Sequence, residues 1–284
     1  MRNLKLATPR MTGTDVLDWQ AFLNSRGAAV DADGSGVFGM ATSQATKAFQ
    51  SATSLDADGV VGPATFAAAI RAGFQSSTRT IELGMDASVN CKAQAACIVT
   101  TGMKFVVRYY SKFSKKAMGV DEAGALSAAG LKLVVVYQDS QDNIAAFDAA
   151  QGKASALRAL DQAKAVGQPG ASGIYFAADF DPIADDIQGP IAQYFMAVNQ
   201  VFRAGAVQYG VGIYGSGLTC RLMRDAGLAD FAWLSQSTGF REYGKFRPRA
   251  HMIQIAPSRN ICGGKLNIDD DIAQVSNYGA FRLS

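Results

Sequence analysis

The sequence predicts an α/β protein, in which a small all-α N-terminal domain precedes a (β/α)8 TIM-like barrel with a partly irregular outer ring. Three observations predict it. Beyond residue 80, eight apolar strand-like runs (81–86, 104–110, 131–137, 173–179, 209–214, 230–234, 251–255 and 265–269) alternate with helical or looped stretches. Eight is the number a closed barrel of this kind requires. Before residue 73 the apolar residues recur at helical spacing instead. Finally, carboxylates close three of the runs, at Asp86, at Asp179 with Asp181, and at Asp269. A barrel gathers such strand tips at one mouth.

Composition sets the outer bounds. With 284 residues, 49% hydrophobic and 18% charged, the chain has room for two domains. No run approaches about eighteen uncharged apolar residues, so membrane insertion is not expected, and Met1 to Pro9 lacks the apolar stretch of a signal peptide. A net charge of +3 without a periodic basic stripe argues against nucleic acid as a partner. The local cluster Arg241, Lys245, Arg247 and Arg249 reads as a solvated loop, or alternatively as a patch steering toward an anionic surface such as a cell wall.

His251 is the single histidine, which nearly excludes zinc peptidase or amidase chemistry; no metal and no cofactor are expected. It opens an apolar run and reads as a strand-edge residue rather than a triad base. The four cysteines form no CxxC pair and read as free thiols, with a short-loop Cys91–Cys97 bridge as the alternative.

In the first domain, Val16, Trp19, Gln20 and Leu23 fall at helical spacing after Thr14 and Asp15, which can cap the first turn, and Gly27 stops the helix. A second helix is expected with Thr42 as cap and Ala45, Ala48 and Phe49 on one face. A third has Pro63 in its first turn and Phe66 and Ile70 inward. Between them runs an internal echo, 31–42 and 56–65, each copy a Gly-rich turn leading into a helix start. A calcium loop is disfavoured for the first copy, because its twelfth position is Thr42 rather than a bidentate Glu.

The motifs around Gly13 to Gln20, Asp33 to Gly39, Thr46 to Gln50 and Asp58 to Thr65 together resemble the three-helix peptidoglycan-binding domain. That resemblance implies a non-catalytic module that docks bacterial peptidoglycan. It sets the expected boundaries at 1–73 for this domain, 74–80 for a Ser/Thr-rich linker and 81–284 for the barrel.

The candidates at the barrel mouth are Asp86, Arg108 or Tyr109, Tyr137 or Gln138, Asp179, Asp181, Tyr214, Trp233, Gln254 and Asp269. If the chain stays extended past 177, a period of two aims Asp179 and Asp181 to the same side. Crowded acids suit glycoside cleavage, since like charges a few ångströms apart hold one carboxyl protonated to serve the leaving oxygen. Tyrosine and tryptophan at the rim offer faces for sugar rings. Any one of these aspartates alone would read as a cap or turn former; agreement among three strands is what favours catalysis.

Gly84 to Ser88, Tyr175 to Asp181, Tyr209 to Ser216, Gln254, and Asn267 to Asp269 resemble a glycoside-hydrolase-like barrel first catalogued as a domain of unknown function, itself similar to the family-25 lysozymes. The resemblance implies Asp181 as proton donor in place of the usual Glu, Asp179 as its partner, and Asp86 and Asp269 as the first-strand and last-strand acids. Arg108, Tyr109, Tyr137, Tyr214, Trp233 and Gln254 are the expected substrate contacts.

The expected activity is thus that of a monomeric, endolysin-like muramidase cleaving the β-1,4 bond between N-acetylmuramic acid and N-acetylglucosamine. Made without a signal peptide, it would wait in the cytoplasm of a phage-infected host and reach the wall once the inner membrane opens. The alternatives are a non-catalytic wall-binding protein with a degenerate barrel and, against the histidine shortage, a peptidoglycan peptidase or amidase.

Overall fold

The computed structural model describes residues 2–284, which divide into two compact units, one ending at Ile81 and the other spanning Glu82–Ser284. In the first, β1 (Met11–Thr12) precedes α1 (Thr14–Ser25), and β2 (Val37–Phe38) pairs antiparallel with β1 ahead of α2 (Met40–Ala52) and α3 (Pro63–Arg71). Trp19 centres the core, with the rings of Phe22, Phe49, Phe66 and Phe74 5.3, 5.8, 5.9 and 6.0 Å away.

The echoed loops have a common physical cause in two buried glutamines, Gln20 and Gln50. The Gln20 amide donates to the Gly34 and Val37 carbonyls and accepts from Gly36 N–H; that of Gln50 donates to the Val60 carbonyl and accepts from Gly59 N–H. Each also donates to the threonine of the following helix, Thr42 or Thr65, at 3.1 Å. Thr42 is therefore an inward residue of α2 rather than its cap. The first N–H groups of that helix are served by Asp33, whose carboxylate accepts from Ala41 and Thr42 at 3.1 and 2.6 Å. Gly13 rather than Thr14 or Asp15 caps α1, and the buried face of α2 is Thr42, Thr46, Phe49 and Gln50, with Ala48 exposed.

The second unit is a closed eight-stranded barrel with strands in all eight expected places. Its first half runs β3 (Glu82–Asp86), α4 (Ala95–Thr100), β4 (Phe105–Tyr110), α5 (Val120–Ala128), β5 (Lys132–Tyr137), α6 (Ala149–Val166) and β6 (Gly173–Ala177). The single turn α7 (Ala184–Asp186) then passes through a π-helical stretch containing Pro190 into α8 (Ala192–Ala204). β7 (Gly210–Gly215), α9 (Gly217–Asp225), β8 (Phe231–Leu234), the short α10 (Tyr243–Phe246), β9 (Met252–Ile261) and β10 (Leu266–Ala273) complete it.

β3 to β9 are parallel, whereas β10 is antiparallel to both β9 and β3. A tight turn at 262–265 joins the last two strands, too short for the crossover that parallel pairing needs. Seven strands thus end at one mouth, and the eighth descends from it. Below the mouth the interior is filled by alternate residues, among them Phe105, Val107, Val134, Val136, Tyr175, Trp233 and Met252. A Cβ on Gly212 would lie 2.4 Å from the Tyr175 ring, so only glycine there admits the tyrosine.

Two expectations about the chain need correction. Cys97 is bridged to Cys262 across 165 residues, while Cys91 and Cys220 are buried thiols, so neither four free thiols nor a Cys91–Cys97 bridge describes the protein. The long-range closure, pinning α4 to the β9–β10 turn, has no spacing signature. The basic cluster is solvated in part: Arg241, Lys245 and Arg249 are exposed, Arg241 pairing with Asp181 at 2.7 Å and Arg249 with Asp225 at 2.8 Å, while Arg247 is buried.

Candidate active site

The mouth holds a cavity of about 200 Å³ lined by Asp86, Tyr109, Val136, Gln138, Ala177, Asp179, Tyr214, Trp233, Gln236, Ser237, Gln254 and Asp269. Its acidic floor follows from strand register. Asp86 ends β3 and faces Asp269 of β10 as direct cross-strand partner, so both side chains project to the same side of the sheet. The register of β10 against β9 shifts between Ile268 and Asp270, a bulge of the sort that re-aims side chains beside active sites. Asp269 therefore reaches the mouth from within an antiparallel strand, not from a strand's C-terminal end.

One amide joins the two acids. Gln254 Nε2 donates to Asp86 Oδ2 at 2.8 Å and to Asp269 Oδ2 at 3.1 Å. Its orientation is fixed at both ends, since a carboxylate only accepts from Nε2 and the Gln236 backbone N–H only donates to Oε1, at 3.4 Å; Tyr214 Oη adds a bond to Oε1 at 2.7 Å. Tyr109 Oη donates to the other oxygen of Asp86 at 3.1 Å; Gln236 Nε2 and the Ser258 hydroxyl donate to Asp269. Among the described residues, no basic side chain pairs with Asp86, which is 5% exposed. Burial, and then the charge of Asp269, push its carboxyl up to about 7, against the opposing pull of the Gln254 and Tyr109 hydrogen bonds.

Beneath this pair stands Asp271, fully buried, with Trp233 Nε1 donating to its Oδ1 at 2.8 Å and, among the described residues, no hydrogen-bond partner for Oδ2. Burial and then the neighbouring Asp86 charge hold it well above the usual carboxylate range. The indole it fixes packs edge-on to the Tyr214 ring at 4.5 Å, forming one wall of the cavity.

On the opposite side the chain leaves β6 at Ala177. Asp179 stays at the mouth, where Gln138 Nε2 donates to it at 3.0 Å. Asp181 does not line the cavity; its carboxylate accepts from the Arg241 backbone N–H at 2.9 Å and the Arg241 guanidinium at 2.7 Å. The period-two expectation fails there because the extended strand ends two residues before the first of the two acids.

Strand parity also removes two expected substrate contacts. Tyr109 faces the cavity, so its neighbour Arg108 points out of the barrel, where it is wholly buried against Glu122 at 2.7 Å and bonded to the Ala87 and Lys116 carbonyls. Tyr137 likewise faces outward, donating to Asp139 at 2.6 Å and accepting from Arg158 of α6 at 2.8 Å; Val136 and Gln138 line the cavity in its place. Tyr109, Tyr214, Trp233 and Gln254 do converge with Asp86, Asp179 and Asp269.

Sequence reasoning missed Gln236, Ser237, Ser258 and Asp271. The first two lie within three residues of the end of an apolar run at Leu234, and Asp271 is two residues from Asp269, so strand-tip and period-two rules could have found them. Ser258 could not be found, because β9 runs six residues past the expected end at 255. His251 sits just before the start of β9, at the end of the barrel away from the mouth. Its Nδ1 accepts from the Ala232 N–H at 3.1 Å, and burial pushes it down to about 4.

Comparison with known proteins matches residues 96–273 to the family of Rv2525c-like, glycoside hydrolase-like domains and residues 12–69 to a peptidoglycan binding domain. Two Bacillus subtilis (strain 168) proteins are similar. YbfG is 29% identical over 72% of this chain and 30% of its own length; FadG is 27% identical over 78% of this chain and 39% of its own. The chain thus spans about a third of the curated relatives it matches. Among solved structures, the Tat-secreted protein Rv2525c of Mycobacterium tuberculosis, in complex with L-tartrate, superposes with a TM-score of 0.59 at 22% identity, covering 71% of this chain and 99% of that one. A likeness at that identity speaks for the fold.

Proposed function

The chain belongs to the Rv2525c-like, glycoside hydrolase-like family and carries a peptidoglycan-binding domain ahead of its barrel, and from this premise we propose that it is a peptidoglycan hydrolase, cleaving the β-1,4 bond between N-acetylmuramic acid and N-acetylglucosamine. One observation carries the reading. Asp86 is a carboxyl buried at the mouth beside a second acid, with its pKa pushed up to about 7, so at neutral pH a large share of molecules hold a proton to give.

In this mechanism a sugar enters over the Tyr214 and Trp233 rings and its glycosidic oxygen takes the Asp86 proton as the C–O bond breaks. Positive charge then developing on the ring faces the carboxylates of Asp179 and Asp269, and water forms the new C–O bond at that carbon, its released proton restoring the Asp86 carboxyl. Gln254, bonded to Tyr214 at its other end, bridges Asp86 and Asp269 and holds them in fixed relation throughout. The donor role moves here from Asp181 to Asp86, because Asp181 is engaged by Arg241 and lies off the cavity.

The peptidoglycan-binding domain would raise local substrate concentration by tethering. The Cys97–Cys262 disulfide favours work in an oxidising compartment outside the cytoplasm, where the wall is. Incubation of the protein with purified peptidoglycan tests the reading: new reducing ends on muramic acid support it, and reducing ends on glucosamine would change the bond. A second reading, wall binding without cleavage, is favoured by one observation, that the residue assigned to proton donation by resemblance is tied into an ion pair. Retention on the wall with no new reducing ends would establish it.

A further inference from the structure

We propose that Lys116 is a positioning residue that acts through Gln138 to aim Asp179 into the cavity, an inference resting on the hydrolytic reading of the mouth. A glutamine amide has two ends of nearly equal size and opposite hydrogen-bonding sense, so what binds one end decides what the other presents. Lys116 Nζ donates to Gln138 Oε1 at 2.7 Å, and Gln138 Nε2 donates to Asp179 Oδ2 at 3.0 Å. An ammonium is a donor only, so this end of the relay cannot reverse. On the other side of the mouth Gln254 is bonded in the same sense, with Tyr214 Oη donating to its Oε1 and its Nε2 donating to Asp86, although a phenol, unlike an ammonium, can also accept.

Lys116 is itself held in place. Its carbonyl accepts from the buried Arg108 guanidinium at 3.2 Å, Met118 N–H donates to the Tyr109 carbonyl at 2.9 Å, and its ammonium lies 4.1 Å from the Tyr109 ring centroid. Among the described residues no carboxylate comes within ion-pair distance of it, so the Gln138 bond is not a by-product of a salt bridge. Asp179 is exposed beyond the end of β6, where strand pairing no longer directs its side chain. Without Lys116 the Oε1 end of Gln138 loses the bond that anchors it, and the side chain is free to swing away from Asp179.

Two measurements on the full chain test this. A crystal structure of Lys116→Met should have the Gln138 and Asp179 side chains separated beyond about 3.5 Å, the limit of a hydrogen bond; an unchanged contact overturns the proposal. In peptidoglycan turnover, Lys116→Met should lose about tenfold in kcat with KM within about twofold, and Lys116→Arg should recover most of it. The double variant with Gln138→Leu should be no slower than Gln138→Leu alone, since both cut one relay. Parental turnover in Lys116→Met, or losses that multiply, would contradict the relay. If the unaltered protein releases no reducing ends, the hydrolytic reading fails, and the crystal structure still decides whether Lys116 sets Gln138.

Discussion

Asp86 and Asp181 are the same residue type at the tips of strands in one barrel, and the structure treats them oppositely. Asp86 is enclosed, bonded only by neutral amide and phenol groups, and crowded by Asp269; Asp181 sits past the end of its strand against the guanidinium of Arg241. Cover without a cation lets a carboxyl keep its proton toward neutrality, whereas at Asp181 the Arg241 backbone N–H takes one oxygen and its guanidinium the other, holding the side chain away from the cavity. Position at a strand tip is therefore insufficient to assign a role; the partner decides it.

The largest expected effect separates these two acids directly. Asp86→Asn should lower peptidoglycan turnover by about a thousandfold, within the range for loss of a general acid, whereas Asp181→Asn should stay within about fivefold. Initial rates on purified wall measure both, and a reversed order would return the donor role to Asp181.

The same substitution should stabilise the protein. A carboxyl whose folded pKa lies above its unfolded one binds its proton more tightly when folded, so stability falls as pH rises from the ordinary 3.8 through about 7. Asp86→Asn escapes that loss, and denaturant melts at pH 8 should place it on the order of 2–4 kcal/mol above the parent, with the difference vanishing near pH 3. Equal stability at both pH values would mean that Asp86 is not burdened by burial.

Opening the disulfide by a Cys97→Ser, Cys262→Ser pair should cost about 2–5 kcal/mol, since it closes 165 residues of chain, and should loosen the turn above Ser258 and Asp269. Unchanged unfolding would show that the barrel holds that turn alone. The smallest effect sharpens the electrostatics: Gln254→Leu removes a hydrogen bond that pulls the Asp86 pKa down, so the alkaline fall in activity should move to higher pH, by about one unit or less. A shift to lower pH would contradict the assigned sign.

The barrel was legible because its strands are apolar runs long enough to see, and the cavity residues on β4, β7, β8 and β9 followed from strand tips. Parity was the first loss: from sequence, Arg108 and Tyr109 are equally placed, and only the register on β5 sends one outward. The second was direction, because β10 looks like any other strand until the short turn at 262–265 forces it antiparallel and Asp269 arrives through a bulge. The third was distance. The Arg241–Asp181 pair spans 60 residues and the Cys97–Cys262 bridge 165, and neither leaves a local pattern. In the helical domain, by contrast, the echo of the loops 31–42 and 56–65 was visible as a repeat before the hydrogen bonds of Gln20 and Gln50 gave it a cause.

The central claim is that Asp86 holds a proton near neutrality, and carboxyl carbon NMR of the aspartates, with Asp86→Asn to assign the resonance, reads it most directly. A titration midpoint for Asp86 near 7 is the expected result. A midpoint close to the ordinary 3.8 would contradict the account, because the mouth would then have no acid at Asp86 to give.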